Sequence, residues 1–145
     1  MTIEYSVYRN LNLSIIKGLQ DLVPEGVSVV DETVEDLVTS TIGVYPGPIS
    51  HRPFEQGNSD DMDVLAWFIG VYANAPNERD YLQLLVFNKL KNWTISVLDF
   101  SNSEAILGSM FIENLRAEPR HAPKEEIDKL RYFSLISFQT TYQEA

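Results

Sequence analysis

The chain has 145 residues, no cysteine and a net charge of −10. That length fits one domain, and it buries roughly 70% of the unfolded chain's surface without a disulfide or metal staple. The missing thiols exclude disulfides, thiol catalysis and cysteine-based zinc sites, and the acidic balance argues against a surface that grips phosphate backbones. The charge is lopsided: residues 1–63 hold 11 acids and 3 bases, residues 64–145 hold 10 acids and 8 bases. Two readings of that excess stand, simple solubility and a non-adhesive wall beside DNA. The start, MTIEYSVYRN, lacks the basic region and apolar run of a secretory signal, and no apolar stretch reaches bilayer length, so no membrane partner is expected.

In chain order, Tyr8, Leu11, Ile15, Leu19 and Leu22 recur at steps of three or four and predict a helix from about Tyr5 to Leu22, ended by Pro24 and Gly26. A short strand is expected at Val27–Val30. The acidic stretch Asp31–Asp36, four acids and no base, reads as a solvated turn. A second strand covers Thr41–Tyr45. From Pro46 to Asp61 three prolines and two glycines predict a long irregular loop, the first place to look for a contact surface. Val64–Tyr72 is a nearly continuous apolar run, hence a central strand covered on both faces. Asn77 as N-cap, with Asp80 three residues on, opens a second helix to about Trp93. Its core face is Leu82, Leu85, Val86, Leu90 and Trp93. A strand follows at Ile106–Glu118, with Leu107, Phe111 and Leu115 on one side and Ile106, Met110 and Ile112 on the other. Pro119–Asp128 is a charged connection. The final strand, Leu130–Tyr142, is apolar on both sides of its pleat, so a chain this small needs a partner to cover it twice. The predicted class is α+β: a mostly antiparallel sheet of four to five strands with two main helices on one face.

Catalytic chemistry finds little footing. His51 and His121 sit in polar segments without the converging ligands of a metal site. There is no nucleophile elbow and no Gly-rich phosphate cradle. Asp60, Asp61 and Asp63 form the tightest carboxylate cluster, but they lack the glycine and closing glutamate of a calcium loop and read as a solvated loop end. No cofactor and no metal are expected. Phe54, inside the irregular loop beside Arg52 and Glu55, has two equal readings: an interface anchor, or a plug for the domain's own core.

This order of elements resembles the tail terminator, or tail completion, proteins of tailed bacteriophages. The matching pieces are the opening helix Tyr5–Leu22, the strand Thr41–Tyr45 and the central strand Val64–Tyr72. To these add the helix Glu78–Trp93, which begins near an Asn-Glu-Arg-Asp, and the aromatic, Thr-rich strand Arg131–Tyr142. The resemblance implies an α+β subunit of a hexameric homo-oligomer. That ring sits on the tail tube protein, stops tube growth and offers a surface to the head-side connector protein. It implies no catalytic residues, assembly in the host cytoplasm, and a place in the virion tail, with DNA passing through unbound. Contact candidates are then Ile49, His51, Arg52, Phe54 and Glu55 from the loop and Tyr132, Ile136 and Phe138 from the last strand. Asp31, Glu32, Glu35 and Asp36 are candidates for an acidic lumen or rim. Competing readings are a head-completion or connector adaptor or other tail component, a small soluble α+β enzyme, and a general interaction module.

Overall fold

A computed structural model describes residues 5–31, 39–52, 62–121 and 132–144. The elements are α1 (Tyr5–Gln20), β1 (Ser28–Asp31), β2 (Thr41–Arg52), β3 (Met62–Ala73), α2 (Pro76–Lys91), β4 (Ile95–Asp99), β5 (Ala105–His121) and β6 (Tyr132–Glu144). The strands form one sheet in the order β1-β2-β3-β6-β5-β4, parallel at β1/β2 and antiparallel elsewhere. The α+β class holds, but among the described residues the sheet has six strands rather than four to five. The extra one is β4, only five residues long and too brief to register as alternation beside Trp93.

Alternation fixes which face meets the helices. Leu65, Trp67, Ile69 and Val71 of β3 are buried on the same side as Ser134, Ile136, Phe138 and Thr140 of β6. The Tyr8 ring of α1 stacks on Trp67 at 5.8 Å, and Gln83 of α2 accepts the Ser134 hydroxyl, so both helices cover this one face. Leu11, Ile15 and Leu19 of α1 and Leu82, Val86 and Leu90 of α2 complete the core. Each such aliphatic side chain contributes about 1.5–3 kcal/mol by leaving water. At the centre the Trp67 indole N–H donates to Thr140 Oγ1 at 2.8 Å, which gives the largest buried side chain a partner for its one polar atom.

α1 packs against both β1 and β4, which lie at opposite edges of the sheet. The sheet therefore curls until its two edges flank one helix. The contacts are polar and specific. Ser14 Oγ accepts the Leu98 N–H at 3.0 Å, and Asn10 Oδ1 accepts the Phe100 N–H at 3.2 Å. On the other side Asn12 donates to Asp31 at 2.8 Å and Arg9 pairs with it at 2.6 Å. A sheet edge otherwise exposes unpaired backbone groups that invite a foreign strand. Here a helix occupies that place.

Several expectations change. Residues 46–52 are not loop but the second half of β2. β1 pairs only with Thr41–Val44, and the β2/β3 register slips between Pro46 and Ile49. Pro46 and Pro48 thus fall where β1 no longer runs alongside and a bulge absorbs the irregularity, the two settings in which a strand tolerates proline. The cap of α2 is Ala75 rather than Asn77, and it makes no side-chain cap bond; Pro76 at the first turn sets the start instead. On β5 a register shift between Glu113 and Arg116, with Asn114 at φ 54°, reverses the alternation. Leu115 and Ala117 therefore pack on the core cluster with Ile112 and Met110, while Phe111 is turned out. The single-phase pleat expected for this strand fails at that bulge.

Candidate assembly surfaces

The sheet face away from the helices is the larger candidate. β3 places Ala66, Phe68 and Tyr72 there, and β6 places Phe133, Leu135 and Ser137 opposite them. All six are half-buried. Their partial cover comes from one another and from glycines. Tyr72 and Phe133 lie with ring centroids 4.9 Å apart, and a Cβ on Gly70 would meet both rings at 3.0–3.1 Å. Phe68 similarly leans over Gly47, where a Cβ would come within 2.7 Å of its ring. The Tyr45 and Tyr72 hydroxyls meet at 2.9 Å. Among the described elements no helix packs on this aromatic layer, because α1 and α2 both lie on the other side.

This geometry corrects the expected contact residues of the last strand. Ile136 and Phe138 are 0% and 2% exposed and belong to the subunit's own core. They share a face with Ser134 and Thr140, under the helices, and cannot meet a neighbour. Tyr132 is half-buried with the Arg79 guanidinium 6.0 Å from its ring centre. The outward large apolar residues of β6 are Phe133 and Leu135. The sequence holds the signal that separates the two sides: Trp67 and Phe68 are neighbours on β3, so only one of them can face the helices. Reading the whole of β3 as core hid that division.

Of the contact candidates on residues 46–61, Ile49 is 58% exposed on β2. His51 is exposed too, and its Nδ1 lies 2.9 Å from Asp63 Oδ1 across the β2/β3 pair. Arg52 ends β2. Phe54, Glu55, Asp60 and Asp61 lie outside the described residues. Of the acidic rim candidates only Asp31 is described, and Arg9 and Asn12 hold its carboxylate against α1. Its charge is thus locally balanced rather than presented freely. Glu32, Glu35 and Asp36 lie outside the described residues.

A second surface was not legible in the sequence. Between α2 and β5 runs an open groove of about 460 Å³, lined by Gln83, Leu84, Phe87, Leu115, Arg116 and Ala117. It forms because α2 buries only the narrow row Leu82, Val86 and Leu90. Leu84 and Tyr81 are left exposed beside it, and the β5 bulge brings Leu115 and Ala117 round to the same side. Among the described residues no three acidic or histidine side chains converge on a metal-binding geometry, and no helix is long and apolar enough to cross a membrane. No protein-family model matches the chain, and no curated protein matches it.

Proposed function

We propose that this chain is the subunit of a ring of the tail-terminator type. The ring caps a phage tail tube, ends its growth and gives the head-side connector a surface to join. Support comes from the resemblance in element order and from an α+β subunit whose two helices sit on a single sheet face. The observation that carries the reading is the apolar layer of Phe68, Tyr72, Phe133 and Leu135, which no helix among the described elements covers. In a ring, neighbouring subunits or the tube protein cover such a layer, and the contact contributes by removing apolar area from water. DNA passes through the hole unbound, helped by a net charge of −10 that repels phosphates.

The test mixes purified protein with polymerising tail tube protein and images the product by electron microscopy, with native mass spectrometry of the protein alone. The expected result is a closed ring at tube tips and tubes that stop lengthening as the protein is added. Tubes that elongate unchanged, with bare ends, overturn the proposal. Rings bound to the portal side of heads instead favour a connector adaptor.

A further inference from the structure

We infer that exposed prolines close the sheet edges of this chain to strand addition, so that copies meet their neighbours through the outward apolar face and not by extending the sheet. This deepens the ring reading, on which the choice of face rests. β1 runs beside β2 only over Thr41–Val44, and β4 runs beside β5 only over Ala105–Met110. Past those points, Tyr45–Arg52 of β2 and Phe111–His121 of β5 have a strand neighbour on one side only among the described residues. Backbone N–H and C=O groups left in a row of that kind are a template for a foreign strand.

Each half-edge carries the same pair of devices, a bulge and an exposed proline. On β2 the register slips between Pro46 and Ile49, with Pro48 inside the slip. On β5 it slips between Glu113 and Arg116, where Asn114 has φ 54°, and Pro119 follows. Neighbouring groups fix the side to which Pro119 turns. The Ser134 hydroxyl donates to the Glu118 carbonyl at 3.2 Å, so that carbonyl points toward β6. In an antiparallel ladder the two backbone groups of a residue point the same way and alternate along the strand. Ala117 and Pro119 therefore turn theirs to the open side, where Ala117 offers an N–H and Pro119 has none to offer. An incoming strand meets a broken register on one side of Ala117 and a missing donor on the other. The outer edge of β4 lies against α1, where Ser14 and Asn10 take the Leu98 and Phe100 N–H groups. What remains for a neighbour is side-chain surface, the layer of Phe68, Tyr72, Phe133 and Leu135. Such a patch saturates once covered, whereas edge-to-edge pairing that fails to close grows into an open filament.

The test replaces Pro48 and Pro119 by threonine, a residue that suits strands, singly and together, with circular dichroism to check the fold. Light scattering over a range of concentrations reads particle size, and native-state hydrogen exchange reads the Ala117 amide. The expected result is a double variant that grows into ever larger species as concentration rises, with Ala117 exchange slowed about tenfold by its new hydrogen bond. Wild type grows no further than its ring, and in rings on tube tips its Ala117 amide exchanges as it does in the free protein. If the double variant does not fold, Pro119→Thr alone carries the test at β5. A folded variant that matches wild type in size at every concentration overturns the inference, and so does slowed Ala117 exchange in wild-type rings. Either result leaves the ring reading standing, because that reading falls only when tubes elongate unchanged past the added protein.

Discussion

Replacing Ser14 with alanine tests whether α1 seals the β4 edge. The Ser14 hydroxyl is buried and works in two directions: it donates to the Asn10 carbonyl at 2.7 Å and accepts the Leu98 N–H at 3.0 Å. Removing it strands the Leu98 N–H, and a donor orphaned away from water costs about 1–3 kcal/mol. Alanine's better helix propensity returns about 0.5 kcal/mol. The net loss is about 1–2 kcal/mol, a Tm drop of roughly 3–6 °C for a chain of this size. Urea melts read the first quantity, and native-state hydrogen exchange at Leu98 reads the mechanism. Exchange at Leu98 should quicken more than at β3 or β6 amides, since the lesion is local. A variant within about 0.5 kcal/mol of wild type, with Leu98 exchange unchanged, refutes the idea that this helix terminates the sheet.

Three further outcomes follow from the packing around Trp67, Gly108 and Tyr142. Thr140→Val keeps the shape but leaves the Trp67 indole N–H buried without its partner, and should cost about 1–3 kcal/mol in urea unfolding. Gly108→Ala sets a methyl group onto the Gln143 carbonyl oxygen and within 2.7 Å of the Tyr142 ring; overpacking against backbone should cost about 3 kcal/mol by thermal melting. Burial, and then the Glu144 charge, raise the Tyr142 hydroxyl above its ordinary pKa of 10.0. The unfolded chain therefore gives up that proton first, stability is complete below pH 10 and falls as pH climbs past it, and Tyr142→Phe should flatten that fall in urea melts from about pH 8 to 11.

The helices and the central strand were legible because their periodicities are long and unbroken. Leu11, Ile15 and Leu19, and Leu82, Val86 and Leu90, occupy the core at the spacing that the sequence displays. What was lost lies at irregularities. Pro46, Gly47 and Pro48 read as a loop, yet the fold carries them as a bulge on a strand whose neighbour has already ended. On β5 the added residue near Asn114 swaps the pleat midway, and nothing in the local composition announces it. Ile136 and Phe138 of β6 were misassigned as contacts for a different reason. Both sides of that strand are apolar, and only the partner register, Ile69 with Ile136 and Gly70 with Leu135, decides which side belongs to the core. The α2/β5 groove depends on a helix and a strand brought together by tertiary packing, and no local window of sequence contains it.

The way α1 touches both sheet margins also sets a timetable for biogenesis. Its partner Leu98 lies 84 residues downstream of Ser14, so on a ribosome adding about 5–20 residues per second the finished helix waits roughly 4–17 s for the strand that receives it. During that interval only the nearer strands are on hand to cover α1, and the side of the helix that receives β4 stays open.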